Sequence, residues 1–383
     1  MKITTLVKSI LFAILFAMAG ISFIGYTTDA VVVEDKVIFD DSPPSIRGVC
    51  WVAGDSVALH NLNHVQEIGV NWISQTPFGY MESFESPNVI HNNNRSSWGS
   101  TDKGIAHTVH LAKKQGIKTI LKPHIWLRRG EDGKFRADIK MKSAEDWDTW
   151  FKSYGDWILR YAKLAEEHDI EALCIGTELH KTIKHTDRWR EIIRDIRSVY
   201  SGQITYAGNW YREYEQVEFW DDLDFIGLQA YFPLSSKEYP KKRELKKSWS
   251  KHIKDLERIA KKYDKKIVFT EIGYKNTSDA ARDPWTWPQD MDDSVILSEE
   301  TQVACYEALF ESLWDKSWFD GIYIWKWFHS TYKFDNFDEY FEARFERRSE
   351  RARRRGRSMP RQVYFTPQRT KALEVLKEWY QKK

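Results

Sequence analysis

The chain has 383 residues, of which 42% are hydrophobic and 30% are charged. This composition excludes a disordered or fibrous protein and predicts one large globular domain with a sizeable core. The net charge of +2 provides no overall basic surface, so we expect no nucleic-acid partner.

The N-terminus has the pattern of an export segment. Lys2 and Lys8 precede an uncharged stretch at residues 9–26, and no cleavage site stands out near its end. We therefore interpret residues 1–26 as a signal peptide or an N-terminal membrane anchor, and residues 27–45 as a linker. Either outcome predicts an exported domain, which is periplasmic, at the cell surface or extracellular.

From residue 46 onward, strand patterns alternate with helix patterns. The predicted strands lie at residues 46–52, 70–75, 117–123, 170–177, 203–208, 223–229, 266–271 and 321–325. Eight parallel strands with intervening helices predict a single-domain α/β fold, the (β/α)8 TIM barrel, over residues 46–383.

Two of the predicted helices have clear boundaries. Ser143 can cap a helix whose apolar residues recur at spacings of three and four, from Trp147 to Tyr161. Thr366 and Pro367 are predicted to open the last helix.

The connections between these elements differ in length. The turns that lead into strands are short, whereas long segments follow the strands at residues 76–101, 124–142, 272–297 and 326–365. Long loops are therefore expected at the carboxyl ends of the strands, the face on which barrels of this kind place their chemistry.

Two glutamates lie where an apolar strand gives way to polar chain. Glu178 follows the run Ala172–Thr177, and Glu271 follows Ile267–Thr270. Parallel strands would bring both carboxyls to one face of the barrel. A pair of facing carboxyls suits glycoside hydrolysis, in which one acid protonates the leaving oxygen while the other attacks the sugar or activates water.

Residues 47–379 resemble glycoside hydrolase family 113, a clan A family of β-mannanase-like (β/α)8 barrels. The matching segments are Ile175–Leu179, Phe269–Tyr274, Leu121–His124, Tyr323–Trp327 and Phe365–Gln368. The resemblance implies a retaining β-glycoside hydrolase, typically an endo-β-1,4-mannanase acting on mannan or manno-oligosaccharides, with Glu178 as acid/base and Glu271 as nucleophile. It also implies that Tyr231 hydrogen-bonds the nucleophile.

The chain departs from the clan pattern at two positions. Thr177 stands where many clan members have an asparagine before the acid/base, and Gln75 stands where a strand-two arginine is usual. Contact with the sugar 2-hydroxyl is therefore left to another group, with Asn209 and Lys122 as the candidates.

The candidate substrate contacts share a position at a strand end. They are Trp51, Lys122, His124, Trp126, Asn209, Trp210, Tyr231, Trp325 and Trp327. The chain has 18 Trp, 18 Tyr and 20 Phe, and flat rings stack on sugars in binding grooves. Packing in the core or at the rim is the alternative for each aromatic residue.

Other features predict no additional chemistry. His60 and His64 are one helical turn apart without a third ligand, so we expect no metal and no cofactor. Cys50, Cys174 and Cys305 are predicted to be buried thiols. An Arg-rich insertion at about residues 335–361 is interpreted as solvated chain, with attachment to an anionic surface as the alternative.

The partner predicted from these observations is a β-linked polysaccharide or oligosaccharide, bound by a monomer with the N-terminal segment as its membrane anchor if that segment is retained. Two other functions stay open. One is a retaining hydrolase of another β-linked glycan, and the other is a non-catalytic carbohydrate-binding barrel.

Overall fold

A computed structural model describes residues 42–52, 54, 56–91, 97–129, 133–288, 291, 294–328, 346–347, 349–350, 353–354 and 363–382. Residues 1–41 and most of the Arg-rich insertion lie outside this set, so their roles stay predictions. Among the described residues, no helix is both long enough and apolar enough to span a bilayer.

The strands follow the predicted order, with three short additions. They are β1 Ile46–Val52, β2 Trp72–Gln75, β3 Phe78–Met81, β4 Ile90–His91, β5 Lys118–Leu121, β6 His124–Leu127, β7 Ala172–Thr177, β8 Gln203–Asn209, β9 Ile226–Gln229, β10 Ile267–Ile272 and β11 Phe319–Phe328. Eight of them close a parallel barrel in the order β1-β11-β10-β9-β8-β7-β5-β2. The predicted (β/α)8 fold is confirmed.

The helices connect successive barrel strands and pack around them. They are α1 His60–Glu67, α2 Asp102–Lys114, α3 Ala144–Glu167, α4 Thr186–Arg197, α5 Glu213–Gln216, α6 Lys242–Tyr263, α7 Glu299–Leu313 and α8 Ala372–Tyr380. Ser143 caps α3 by accepting a hydrogen bond from the Asp146 backbone N–H, as predicted. The connection between β8 and β9 is unusual because α5 is a single turn.

Two sequence predictions about the segments outside the barrel strands were wrong. The segments at residues 76–101 and 124–142 are not only loops, because β3, β4 and β6 form a small separate sheet there. Thr366 and Pro367 begin a short 3₁₀ turn, Pro367–Arg369, and the last helix starts only at Ala372. The Thr366 hydroxyl caps that turn by accepting from the Gln368 backbone N–H.

The barrel strands separate two apolar layers. In β7, Leu173 and Ile175 join the large cluster between strands and helices, whereas Ala172 and Cys174 join the smaller cluster formed by the barrel interior. This alternation follows from the two-residue period of a strand. All three cysteines are buried free thiols, as predicted.

The barrel wall is close-packed at its glycines, which gives a test of the fold. A Cβ on Gly227 in β9 would lie 2.4 Å from the Tyr206 carbonyl oxygen, so we expect Gly227→Ala to destabilise the protein by about 1–3 kcal/mol through overpacking. A Cβ on Gly155 in α3 would lie 3.7 Å from its nearest neighbour, an ordinary contact distance. We therefore expect Gly155→Ala to raise the free energy of unfolding by about 0.5–1 kcal/mol. Urea unfolding of both variants checks this, and similar changes in the two would contradict it.

Candidate active site

The two glutamates lie at the carboxyl ends of barrel strands and are both nearly buried. Glu178 directly follows β7 and is 8% exposed, and Glu271 lies within β10 and is 6% exposed. Their partners come from the ends of β5, β8 and β9 and from the loop after β6.

Local backbone geometry turns each carboxyl toward the barrel axis. In β7 a register shift between Cys174 and Thr177 interrupts the alternation of the strand. Glu178 directly follows the strand, and its φ of +54° is a left-handed conformation that costs a non-glycine residue energy. In β10 the inward residue is Val268, so simple alternation would turn Glu271 outward. A register shift between Phe269 and Glu271 reverses this direction, as β-bulges near active sites do.

Glu271 is held by three side chains. Its Oε2 accepts hydrogen bonds from Lys122 Nζ at 2.9 Å and from Gln229 Nε2 at 2.9 Å. Its Oε1 accepts from the Tyr231 hydroxyl at 2.6 Å. Lys122 is fully buried and also donates to Gln229 Oε1 at 3.1 Å and to the Thr270 carbonyl oxygen at 3.0 Å. Each of its three N–H groups therefore has an acceptor.

These contacts keep Glu271 ionised. Burial is the largest single influence and would raise the pKa of Glu271. The charge of Lys122 and the hydrogen bonds from Tyr231, Gln229 and Lys122 together outweigh it and lower the pKa below its usual value. Burial would likewise lower the pKa of Lys122, but the Glu271 carboxylate raises it, so both partners of the pair are charged.

Glu178 has one cationic and one neutral partner. Its Oε2 accepts from Arg136 Nη2 at 2.6 Å, and its Oε1 accepts from Asn209 Nδ2 at 3.0 Å. Arg136 belongs to the 3₁₀ turn Arg136–Asp138, in which Asp138 accepts a 2.9 Å hydrogen bond from Lys181. Because Lys181 lies three residues after Glu178, this ion pair ties the arginine-bearing loop to the segment that carries the carboxyl.

The pKa of Glu178 is shifted in the opposite direction. Burial raises it most strongly, the Arg136 charge opposes that effect, and the nearby Glu271 carboxylate raises it further. The net result is a pKa above the usual value of a glutamate. Two carboxyls that influence each other thus have pKa values displaced in opposite directions, the pattern of a proton donor beside a charged nucleophile or base.

His124 and Gln75 are buried near this pair. Burial, with the charges of Arg136 and Lys122, holds the pKa of His124 well below its usual range, so its imidazole is neutral. His124 Nε2 and Gln75 Nε2 have no hydrogen-bond partner among the described residues. Such atoms are suited to a polar ligand, since a buried polar group without a partner is costly.

The predicted aromatic contacts fall into two groups. Trp51 and Trp327 belong to the large core cluster and are 4% and 3% exposed, so packing accounts for most of their surface. Trp210 and Trp325 are partly exposed, and Trp126 is exposed on the small sheet. Contact of any of these rings with a sugar stays a prediction.

Two tryptophans of the loop after β10 extend this surface. Trp285 stacks on Trp210 with ring centroids 5.0 Å apart, and Trp287 packs edge-on against Trp325 at 5.9 Å. Tyr211, beside Trp210, is 69% exposed. The described part of the mouth therefore has flat apolar faces next to the polar centre, as sugar-binding clefts do.

Sequence reasoning missed Arg136 and Gln229. Gln229 is the last residue of β9, so the rule that polar strand ends face the site could have found it. Arg136 has no comparable signal, because it reaches Glu178 from a loop 42 residues earlier. No group of three or more His, Cys, Asp or Glu side chains within the described ranges could hold a metal ion.

Comparison with known proteins agrees with this geometry. The family model of Glycoside Hydrolase Family 113 matches residues 51–342. The protein is a glycoside hydrolase with a (β/α)8 barrel. The chain belongs to glycoside hydrolase family 113.

Solved structures with the same fold include β-mannanases. The chain is 26% identical to the family 113 β-mannanase AaManA from Alicyclobacillus acidocaldarius, solved in complex with ManMIm, with a TM-score of 0.70 over 89% of this chain and 98% of that one. A second family 113 β-1,4-mannanase is 25% identical, with a TM-score of 0.69 over 89% of this chain and all of the other.

More distant similarity supports only the fold. A β-glucuronidase from Ruminococcus gnavus is 15% identical, with a TM-score of 0.55 over 89% of this chain and 51% of that one. No curated protein matched the chain.

The buried ion pair predicts a pH-dependent stability. We expect Lys122→Met to lower the free energy of unfolding by about 3–5 kcal/mol at neutral pH, because it leaves the Glu271 charge buried without its cation. In the wild type, the lowered pKa of Glu271 stabilises the fold above the unfolded value of about 4.3 and this contribution is lost as pH falls. In the variant, burial without Lys122 raises the pKa of Glu271, so protonation removes the buried charge as pH falls, and the deficit should shrink toward pH 4.

Urea unfolding at a series of pH values measures this deficit. The double variant Lys122→Met/Glu271→Gln removes both charges and should recover part of the stability lost in Lys122→Met. A deficit of the same size at pH 7 and pH 4 would show that the charge of Glu271 is not its cause.

Proposed function

We propose that this glycoside hydrolase is a retaining endo-β-1,4-mannanase that acts on mannan or manno-oligosaccharides by double displacement. The observation that carries the mechanism is the opposite displacement of two carboxyl pKa values at one barrel mouth, raised for Glu178 and lowered for Glu271. The substrate is inferred from the β-mannanases that the chain is similar to over 89% of its length.

In the first step of this mechanism, Glu271 attacks the anomeric carbon. Oε2 of Glu271 accepts two hydrogen bonds and Oε1 accepts one, from Tyr231, so we assign the attack to Oε1. The bond to the leaving oxygen breaks with its electron pair, and that oxygen takes the proton of Glu178. A glycosyl–enzyme ester on Glu271 results.

In the second step, Glu178 acts as a base. Its carboxylate takes a proton from water, the water oxygen bonds to the anomeric carbon, and Glu271 leaves as a carboxylate. The Arg136 contact stabilises the ionised form of Glu178 that this step needs. Lys122 and Gln229 stabilise the returning charge on Glu271 Oε2.

The neighbouring polar groups are proposed to hold the sugar. His124 and Gln75 each have a buried nitrogen that finds no partner in the described part of the chain, and a sugar hydroxyl would supply one. All three N–H groups of Lys122 already have protein acceptors. Asn209 Nδ2 donates one N–H to Glu178 and has a second, so Asn209 is the better candidate to contact the 2-hydroxyl. Trp210 and Trp325 offer ring faces beside these groups.

A hydrolysis screen over β-mannan, glucomannan, xylan and β-glucan tests the proposal. We expect internal cleavage of β-mannan and, by proton NMR at early times, the β-anomer as the first product. Glu271→Ala and Glu178→Ala should each lose about 10²-fold or more in turnover with the fold intact. Activity confined to another polysaccharide would reject β-mannan as the substrate. The α-anomer as first product would reject a retaining mechanism, and binding without turnover would indicate a non-catalytic barrel.

The Arg136 contact predicts the direction of a pH shift. As general acid, Glu178 must be protonated in the free enzyme, so kcat/KM falls as pH rises through its pKa. Arg136 lowers that pKa, so Arg136→Met should raise it and move the alkaline limb of the kcat/KM profile to higher pH.

The matched control for this measurement is Arg129→Met. Arg129 pairs with Glu82 at 3.3 Å and is largely exposed, so its loss should leave the limb in place. An alkaline limb that stays in place in Arg136→Met, or that moves to lower pH, would contradict the role given to Arg136.

A further inference from the structure

Behind Glu178 lies a fully buried carboxyl that the proposed mechanism does not use. Glu213 opens the single-turn helix α5 and has no exposed surface. No ion pair involves it among the described residues, and its partners there are a phenol and a backbone N–H. A carboxyl in this position is costly, because burial without a cation disfavours its charge.

Glu213 joins the chain segment that follows Glu178 to the segment that carries Asn209, the amide partner of Glu178. Its Oε2 accepts a hydrogen bond from the Asn209 backbone N–H at 3.0 Å. Its Oε1 accepts from the Tyr206 hydroxyl at 2.5 Å, and that hydroxyl accepts from the Leu179 backbone N–H at 2.8 Å. Leu179 is the residue next to Glu178, so one carboxyl fixes both the Asn209 turn and the chain that follows the acid/base.

The turn held by Glu213 determines how the Asn209 amide faces. Asn209 Oδ1 accepts from the Tyr211 backbone N–H at 3.0 Å, so its other end, Nδ2, is the one that donates to Glu178 Oε1. Arg212 closes the turn with a φ of +58°, a conformation that costs a non-glycine residue energy and needs support from its surroundings. The bond from Asn209 N–H to Glu213 spans this turn.

Burial raises the pKa of Glu213, and the hydrogen bonds from Tyr206 and Asn209 oppose this by favouring the charged form. An apolar side chain of similar volume would avoid the cost of burying a carboxyl, but it would offer no acceptor to Tyr206 and Asn209.

We propose that Glu213 is a positioning residue that holds Asn209 and the segment after Glu178, so that the Glu178 carboxyl faces the leaving oxygen. This inference rests on the proposed role of Glu178 as acid/base. Glu213 does not touch the substrate or Glu178 and acts through Asn209 and Tyr206.

The substitution Glu213→Gln tests this with little change in volume. Both Glu213 oxygens accept hydrogen bonds in this structure, whereas a glutamine replaces one of them with an NH₂ group that cannot accept, so it cannot satisfy both the Asn209 N–H and the Tyr206 O–H. A misplaced Glu178 should lower kcat/KM only for substrates whose leaving group must be protonated. The leaving group of a 2,4-dinitrophenyl β-glycoside needs no proton, whereas that of a manno-oligosaccharide does.

The expected result is a selective loss. In Glu213→Gln, kcat/KM should fall by about 10-fold or more on the oligosaccharide, as for impaired general acid catalysis, and change little on the dinitrophenyl substrate. Glu215→Gln is the control, since Glu215 lies two residues further on α5 and pairs with Arg258 at 3.1 Å near the surface. Equal losses on both substrates would mean that Glu213 is only structural.

A double-mutant cycle identifies the route of the effect. If Glu213 acts partly through Asn209, Glu213→Gln should cost less in the Asn209→Ala background than in the wild type, whereas fully additive losses would overturn the assignment. Should Glu213→Gln fail to fold, Tyr206→Phe removes only the hydroxyl between Glu213 and Leu179 and should show the same selective loss.

An NMR measurement keeps the inference separate from the identity of the substrate. The Asn209 side-chain NH₂ signals, assigned by their absence in Asn209→Ala, should shift as Glu178 titrates in the wild type and not in Glu178→Gln. In Glu213→Gln this pH-dependent shift should be lost, and its persistence would refute the positioning role whatever the sugar. Failure of the proposed function would show instead as a wild type inactive on β-mannan with this shift present.

Discussion

The buried pair between Lys122 and Glu271 is the contact on which the site depends. Its members come from the ends of β5 and β10, which are not neighbours in the barrel, and Gln229 at the end of β9 binds both. A buried ion pair is tolerable only when its geometry is good and the remaining donors and acceptors are satisfied. The closed barrel meets this condition because it fixes all three strand ends around one point.

The opposite pKa shifts of the two glutamates follow from the number of hydrogen-bond donors that each carboxyl receives. Burial would raise the pKa of both carboxyls. Glu271 has a fully buried cation and two further donors, and these outweigh burial. Glu178 has a partly exposed arginine and one amide, and there burial prevails. One barrel mouth thus holds two carboxyls whose pKa values are displaced in opposite directions.

The sequence was sufficient for the barrel and for the positions of both glutamates, because apolar runs ending in polar residues mark the carboxyl ends of strands. It was insufficient to predict that the Glu271 side chain faces the barrel axis. That orientation depends on the register shift after Phe269, because strict alternation along β10 would turn the side chain outward. It also gave no indication of the Arg136 contact. That contact depends on how a loop folds back, and loop conformation has no periodic pattern in the sequence.

The aromatic richness of the chain has more to do with stability than with the groove. The largest fully buried side chains are tryptophans of the outer layer, Trp150, Trp189, Trp220 and Trp249, packed between strands and helices. The site itself carries unfavourable features, namely the positive φ of Glu178, the shifted register in β10 and several buried charges. A positive φ at a non-glycine residue costs on the order of 1–3 kcal/mol, comparable to the burial of one large apolar side chain, and a buried charge costs several kcal/mol unless it is paired. A dense aromatic shell therefore lets the barrel hold a strained, charged centre at its mouth.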